Sequence, residues 1–265
     1  MKKTIRICVA DPAGNITIFV YDRFPREQYQ QVATQLLAHR ELAAEQVAFV
    51  EDSVTMCMCG MEFCGNASRT FALLSARKQG IQGSAHIQVN VSGMEEPAEV
   101  DVDTSSNYAR IRMPLPVSVT SYTDTAIPET EGGTLVDLDG IVHLVLHDAA
   151  ADRALFDRIR EDFYTRDDPP AFGVMFVDDS KHSTTPYVYV RDVDSTYLEG
   201  SCGSGATAVA IACTERFTDG EYTDHIQMPA GTLTTTVTKK DGHVHAVYID
   251  STVSISPDME IEIDL

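Results

Sequence analysis

Two cysteines open similar motifs, each followed by glycine and then by small and apolar residues. Cys64 begins Cys-Gly-Asn-Ala-Ser, and Cys202 begins Cys-Gly-Ser-Gly-Ala. Both read as helix starts, where unpaired backbone N–H groups and the helix dipole attract anions and favour a thiolate over a thiol. Two thiols on opposite sides of one carbon could remove a proton from one face and return one to the other. The predicted chemistry is inversion of a stereocentre.

The glycine after each cysteine supports this interpretation. Gly65 and Gly203 let the backbone approach a ligand closely. The N–H groups of a first helical turn would then hold a carboxylate and stabilise negative charge as an α-proton leaves. This chemistry needs no metal and no organic cofactor. The alternative is two buried cysteines beside glycine-rich helix starts, and recurrence of the motif in both halves favours catalysis.

The two halves of the chain resemble each other beyond the cysteines, and the order of the similar segments is conserved. The pairs are residues 14–22 with 140–148, 47–52 with 174–179, 71–76 with 209–214, and 86–88 with 225–227. The period is too long for a solenoid and suits a duplicated domain. We predict one domain at 1–116, to which the tail 252–265 returns, and a second at 117–251.

Hydrophobic periodicity predicts four helices and short strands between them. The first helix follows Pro25, with an apolar stripe at Tyr29, Val32, Ala33, Leu36 and Leu37. The others are predicted over 67–78, with Asn66 as N-cap and Gly80 just past the end, over 152–163, and over 206–216. Strands are predicted over 5–9, 16–21, 47–50, 54–59, 87–91, 98–103, 109–113, 142–146, 174–177, 186–191, near 226, 233–238 and 243–249. The fold class is α/β or α+β, with each half a sheet around one central helix.

Composition excludes several classes of partner. The 265 residues carry 40 acidic and 20 basic side chains, a net charge of −20, which argues against nucleic acid and anionic membrane surfaces. The apolar runs have the length of strands, and residues 1–6 read as the start of a first strand and not as a signal peptide. We expect a cytoplasmic protein without disulfides, in which Cys8 and Cys213 are buried thiols.

The cysteine motifs, together with Gly14-Asn15, resemble those of the cofactor-independent diaminopimelate epimerases. The resemblance spans nearly the whole chain. It implies two pseudo-symmetric domains, each a mostly antiparallel curved sheet or barrel around a central helix, with a cleft between them and usually a homodimer. It also implies that Cys64 and Cys202 are the acid and base. The residues implied to hold the amino acid are Asn15, Asn66 and the N–H groups of Gly65, Gly203 and Ser204.

The chain departs from the epimerases where the distal end of diaminopimelate would bind. Their Glu-Arg pair before the second cysteine has no counterpart, because residues 193–201 contain no arginine. Their Gly-Asn-Pro-His motif corresponds to residues 140–143, which lack the asparagine. A distal carboxylate would therefore meet Asp194 and Glu199 without a cation, which disfavours diaminopimelate as substrate.

A closer resemblance is to the histidine racemases of metallophore biosynthesis. It rests on residues 14–15, 45–47, 62–67, 142–143 and 199–205. It implies conversion of L-histidine to D-histidine, with Glu45, Gln46, His143 and Glu199 as further substrate contacts. Glu45 or Glu199 would accept a hydrogen bond from the imidazole. The alternatives are a solvated residue or cap for Glu45, a surface carboxylate for Glu199, and a core histidine for His143.

Other functions stay open at this point. Cys57 and Cys59 with Cys64 could form a zinc site, but the spacing fits no common zinc motif. A pyridoxal-phosphate racemase needs a buried lysine, and the six lysines all lie in polar turns or at element ends. A non-catalytic amino-acid-binding protein would not need two thiols. Proline and hydroxyproline epimerases usually differ at the first motif.

Overall fold

The computed structural model describes residues 2–265, which form an α+β fold with few helices and many strands. The helices are α1 (Tyr29–Leu37), α2 (Gly65–Lys78), α3 (Arg153–Phe163) and α4 (Gly203–Thr214). The strands are β1 (Lys2–Asp11), β2 (Thr17–Val20), β3 (Gln46–Val50), β4 (Thr55–Met58), β5 (Ser84–Val91), β6 (Ala98–Asp103), β7 (Tyr108–Arg112), β8 (Ser118–Tyr122), β9 (Gly133–Asp137), β10 (Ile141–His147), β11 (Ala171–Asp178), β12 (Ser183–Val190), β13 (Ser195–Leu198), β14 (Gly220–Gln227), β15 (Thr232–Lys240), β16 (His243–Thr252), β17 (Ser254–Ile255) and β18 (Met259–Asp264).

The chain divides into two compact units. The first comprises the chain up to Arg112 together with Asp250–Leu265, and the second comprises Met113–Ile249. No helix in the described part of the chain is long and apolar enough to cross a membrane.

The sheet of the first unit runs in the order β18, β1, β2, β3, β4, β5, β6, β7. Its pairs are antiparallel except β2 with β3 and β4 with β5. The chain tail pairs with β1, with Lys2 opposite Asp264. This confirms the prediction that the tail returns as a strand.

Helices cover both faces of this sheet. On one face α1 packs its apolar stripe against alternate residues of the strands, among them Ile18 and Val47. Leu37, predicted in that stripe, is 38% exposed because it is the last residue of α1. On the other face α2 packs against β5, β6 and β7. Alternation places Thr17 and Gln46, the neighbours of Ile18 and Val47, on the face away from α1.

Helix α2 is buried along almost its whole length, which suits its small and apolar composition. It ends in a Schellman motif, since Gly80 N–H donates to Arg77 O and Ile81 N–H donates to Ala76 O. Gly80 has φ +76°, a conformation that glycine adopts without strain. The prediction for the end of this helix is confirmed.

The sheet of the second unit runs β8, β9, β10, β11, β12, β13, with β14 joined to β12 and paired with β15. Helix α3 packs on one face of β10 and β11, and α4 packs on β9, β10, β11, β14 and β15. Asp152 caps α3, accepting a hydrogen bond from Leu155 N–H at 2.9 Å. Along β10, Val142 and Leu144 face α3, so His143 between them faces α4.

Several predictions about this unit are wrong. Strands β8, β9 and β13 were not predicted, because their residues are mostly polar or half-exposed. Cys213 is only partly buried. Lys239, expected in a polar turn, is 6% exposed in β15. Its ammonium donates to the carbonyl oxygens of Thr214, Glu215 and Phe217, capping the end of α4.

Candidate functional site

Cys64 is the N-cap of α2, the position that the sequence analysis assigned to Asn66. Its Sγ accepts a hydrogen bond from the backbone N–H of Ala67 at 3.5 Å, and its carbonyl accepts the first helical bond, from Ser68. The helix therefore begins at Gly65, two residues earlier than predicted. The N–H groups of Gly65 and Asn66 are not used by the helix ladder, as expected at a helix start.

Polar side chains surround the sulfur of Cys64. Gln46 Nε2 lies 3.3 Å from Cys64 Sγ, 2.7 Å from Asn15 Oδ1 and 2.8 Å from Thr17 Oγ1. The Cys64 thiol reaches Asn15 Oδ1 at 3.7 Å, and Asn15 Nδ2 donates to Glu45 Oε2 at 3.1 Å. The structure thus brings Asn15, Glu45 and Gln46 together with Cys64, although they come from separate segments of the chain.

This cluster can satisfy Cys64 in either protonation state. The amide nitrogen of Gln46 carries two hydrogens but has three acceptors within reach. A Cys64 thiol donates to Asn15 Oδ1, leaving Gln46 to serve Asn15 and Thr17. A thiolate instead accepts from both Gln46 and the Ala67 N–H, bonds strengthened by its charge. The sulfur can therefore gain or lose a proton without leaving any polar group of the cluster without a hydrogen-bond partner.

Glu45 lies at the outer side of the cluster. Partial burial raises the pKa of its carboxyl, the hydrogen bond from Asn15 lowers it, and the charge of Asp11 raises it further. The carboxyl therefore takes up a proton more readily than a fully solvated glutamate does, and it accepts a hydrogen bond from Asn15 at the exposed edge of the cluster. It is a suitable acceptor for a weakly acidic N–H group.

Asn66 is the second residue of α2 and is buried, and its side chain is held by Arg69. The guanidinium donates to Asn66 Oδ1 from Nε at 3.3 Å and from a terminal nitrogen at 3.1 Å. Arg69 is itself wholly buried. It is not predictable from the sequence, because a helix of small residues offers no pattern that singles out one arginine.

Cys202 is the N-cap of α4, so this helix also begins at its glycine, three residues earlier than predicted. Its Sγ accepts a hydrogen bond from Gly205 N–H at 3.3 Å and lies 3.5 Å from Ser204 Oγ. The Cys202 N–H points to the sulfur of Met228 at 3.1 Å. The N–H groups of Gly203 and Ser204 occupy the same first-turn positions as those of the other cysteine helix.

His143 supports this second cysteine from the sheet. Its Nε2 lies 2.9 Å from Ser204 Oγ, so the imidazole orients the hydroxyl that reaches Cys202. Complete burial lowers the pKa of His143 to about 3, and the ring is neutral at physiological pH. Among the described residues its Nδ1 has no hydrogen-bond partner. The ring fits because residue 173 is glycine, where a Cβ would overlap Nδ1.

The predicted lowering of the thiol pKa does not hold for Cys202. Burial raises the pKa of the Cys202 thiol well above its usual value, and the nearby carboxylate of Glu199 raises it further by charge and by hydrogen bonding. Ser204 and the Gly205 N–H act in the opposite direction but more weakly. Desolvation therefore outweighs the helix start, and Cys202 is protonated at neutral pH.

We expect the Glu199→Gln substitution to lower the pKa of Cys202, since it removes the negative charge and leaves a neutral amide. Iodoacetamide reacts with the thiolate, so its rate as a function of pH reports this pKa. The measurement uses Cys64→Ser as background and mass spectrometry to locate the label. The Glu161→Gln variant, on the exposed side of α3, serves as control and leaves the profile unchanged. An unchanged profile for Glu199→Gln would contradict the assigned influence.

The two cysteine sites are built on matching pairs of strand residues. Thr17 and Gln46 are register partners on the parallel strands β2 and β3, and His143 and Gly173 are register partners on the parallel strands β10 and β11. In the first unit the longer side chain, Gln46, comes from the second strand of the pair, β3. In the second unit the longer side chain, His143, comes from the first strand, β10. The internal similarity of residues 14–22 with 140–148 already aligns Thr17 with His143, and that of 47–52 with 174–179, extended by one residue, aligns Gln46 with Gly173. These signals could have identified Thr17 and Gly173.

The other cysteines have separate surroundings. Cys57 contacts Met61 Sδ at 3.2 Å, and Cys59 contacts Gln30 Oε1 at 3.3 Å. Burial raises the pKa of both thiols, that of Cys59 to about 11. In residues 2–265 no three side chains of the His, Cys, Asp or Glu type are grouped to hold a metal ion.

Comparison with solved structures establishes the class of fold. A predicted epimerase from Pseudomonas aeruginosa superposes with a TM-score of 0.69 at 14% identity, over 97% of this chain and 99% of that one. A PhzF-family phenazine biosynthesis protein from Bacillus anthracis gives 0.68 at 14%, over 98% and 99%. A hydroxyproline epimerase from Agrobacterium vitis gives 0.62 at 10%, over 98% and 93%. The chain has the fold of these proteins, as predicted.

Sequence comparison identifies the family within that fold. The family described as the histidine racemase CntK N-terminal domain matches residues 4–259. A histidine racemase from Fusobacterium nucleatum is 34% identical over 209 residues, 75% of this chain and 77% of the relative. One from Staphylococcus aureus is 22% identical over 246 residues, 89% of each. The chain belongs to the histidine racemase family and is an isomerase of the racemase class.

Proposed function

We propose that this protein interconverts L-histidine and D-histidine, with Cys64 and Cys202 exchanging the α-proton. The observation that carries the proposal is the repeated arrangement of the two thiols. In each unit, the loop before the most buried helix ends in a cysteine. The sulfur of that cysteine caps the helix. Each sulfur has a backbone donor and a polar side chain beside it. Family membership supports the same activity.

In the proposed mechanism, a thiolate on one cysteine takes the α-proton and becomes a thiol. The electron pair left on carbon delocalises into the substrate carboxylate, which the first-turn N–H groups of the two helices stabilise. The thiol of the other cysteine then gives its proton to the opposite face and becomes the thiolate. In the direction in which Cys64 is the base, Cys202 is the acid, a role that suits a thiol whose pKa is raised.

Substrate contacts follow from the polar groups beside each sulfur. The N–H groups of Gly65, Asn66, Gly203 and Ser204 are the donors for the carboxylate. Asn15 and Gln46 border Cys64 and are placed to orient the amino acid. The carboxyl of Glu45, at the exposed edge of this cluster, accepts the imidazole N–H, a role that no arginine has to share. Glu199 and His143 act on Cys202 in this scheme and not on the imidazole.

We also propose that the enzyme is a homodimer in the cytoplasm and that it supplies D-histidine for metallophore synthesis. The sequence resemblance supports the homodimer and the role in metallophore synthesis. Light scattering after size exclusion measures the oligomeric state, and a monomer at micromolar concentration contradicts it.

Racemisation in deuterated water tests the activity and the mechanism together. We expect L-histidine to lose its optical rotation while the α-proton signal disappears from the NMR spectrum, because the second thiol carries a solvent deuteron. Diaminopimelate, L-proline and trans-4-hydroxy-L-proline are assayed in parallel and are expected to stay unchanged. Racemisation without solvent label would exclude the two-thiol mechanism. Turnover of one of the other substrates but not of histidine would exclude histidine as substrate.

A further inference from the structure

Arg69 is a charged residue where the fold does not require one. It lies in the middle of α2, wholly buried, and is the largest fully buried side chain described in the chain. The duplication aligns it with Thr207 of α4, whose hydroxyl simply donates to Gly203 O one turn earlier. The second unit therefore builds the same central helix with a small residue. Burying a guanidinium carries a large desolvation cost, so a purely structural role is the poorer explanation.

The hydrogen bonds of Arg69 have one target on its own helix and three outside it. Two donors converge on Asn66 Oδ1. Further contacts of the two terminal nitrogens reach Pro12 O at 3.2 Å, Ala109 O at 3.4 Å, and Ser251 through O at 3.1 Å and Oγ at 2.8 Å. These outside contacts fix the guanidinium plane. Burial lowers the pKa of Arg69 to about 10, and the charge of Asp250 opposes that shift, so the group stays protonated at neutral pH.

This arrangement determines which way the Asn66 amide points. A guanidinium can only donate, so the atom it contacts twice must be the amide oxygen. The amide NH2 group is then directed away from Arg69, and it belongs to the second residue of the helix that Cys64 caps. In the second unit a buried nitrogen base does the same for the equivalent residue, since His143 orients the Ser204 hydroxyl. In each unit the residue two places after the cysteine is thus oriented by a buried partner.

We infer that Arg69 is a positioning residue for substrate binding, which fixes the Asn66 side chain with its NH2 group presented as a hydrogen-bond donor to the substrate carboxylate. The inference rests on the proposed racemase activity. Without Arg69 the amide can rotate and present its oxygen to the carboxylate, so binding weakens while the two thiols keep their places. Loss of Arg69 should therefore raise KM, and this increase should require the Asn66 side chain.

A double-mutant cycle on KM tests this path. Arg69→Met is expected to raise the KM for L-histidine about tenfold or more, the scale of losing one hydrogen bond to a charged group. The same substitution in an Asn66→Ala background is expected to change KM less than about twofold, because the group it orients is absent. An equal KM effect in both backgrounds would overturn the inference, as would an unchanged KM in Arg69→Met.

Ser251→Ala is the matched control, because it removes one hydrogen bond to Arg69 and leaves Asn66 untouched. We expect it to lower Tm with KM within about twofold of the wild type. A KM increase in Ser251→Ala equal to that of Arg69→Met would overturn the inference, because Asn66 keeps both hydrogen-bond donors of Arg69 in that variant. Arg69→Lys, which keeps the charge but not the forked geometry, replaces Arg69→Met if that variant does not fold.

A second readout does not need turnover. In 15N-labelled protein the side-chain NH2 signals of Asn66 are assigned by their loss in Asn66→Ala. We expect Arg69→Lys to shift them and Ser251→Ala to leave them in place. Unshifted signals in Arg69→Lys overturn the inference even if the enzyme racemises histidine. A wild-type enzyme without histidine racemisation, but with the expected shift, contradicts the proposed function and retains the orienting role of Arg69.

Discussion

Replacing either Cys64 or Cys202 by serine is expected to reduce racemisation of L-histidine at least about 100-fold while the protein stays folded. A serine hydroxyl keeps the N-cap bond to the helix but is far too weak an acid to exchange the α-proton. Both variants should lose activity to a similar degree, because each turnover uses one thiol as base and the other as acid. Circular dichroism gives both the rate of loss of optical activity and the Tm.

Cys213→Ser and Cys59→Ser are the controls for this experiment. Cys213 lies on the same helix as Cys202, and Cys59 lies in the same unit as Cys64, and both are partly buried free thiols. Neither has a helix-capping role, so both variants should racemise histidine within about twofold of the wild type. Parental activity in Cys64→Ser or Cys202→Ser would exclude the two-thiol mechanism.

The sequence predicts the helices well because their signals are local. The stripe of α1 and the glycine that ends α2 each depend on residues within one or two turns. The start of α2 was placed too late because cysteine is an uncommon N-cap, so Asn66 looked like the better candidate.

The support of the two thiols could not be predicted from local pattern. Gln46 reaches Cys64 because β2 and β3 run parallel and in register, a relation that no single segment contains. The pKa of Cys202 depends on how deeply the sheet buries it, and the sequence predicted the opposite direction. Lys239 was wrongly expected in a polar turn because its neighbours in the sequence are polar. It is buried because its ammonium binds carbonyl oxygens at the end of α4, which come from another segment of the chain.

The Gly173→Ala substitution is expected to reduce kcat/KM for histidine about tenfold or more, although residue 173 has no reactive side chain. The added Cβ would overlap Nδ1 and Cε1 of the His143 ring, which is completely enclosed. The ring can escape only by giving up its contact with Ser204, and with it the orientation of the hydroxyl beside Cys202. Overpacking of this kind also costs roughly 1–3 kcal/mol of stability, measured by urea unfolding.

The Gly133→Ala substitution is a control that separates the effect on packing from the effect on catalysis. A Cβ at Gly133, on the adjacent strand β9, would crowd Leu144 and Leu146, which belong to the face of β10 turned toward α3. Gly133→Ala should therefore lower the free energy of unfolding in the same way, since it crowds the same sheet, but leave kcat/KM within about twofold. If Gly173→Ala is destabilised like Gly133→Ala and yet racemises histidine at the parental rate, then the His143–Ser204 contact is not needed to position the Cys202 thiol.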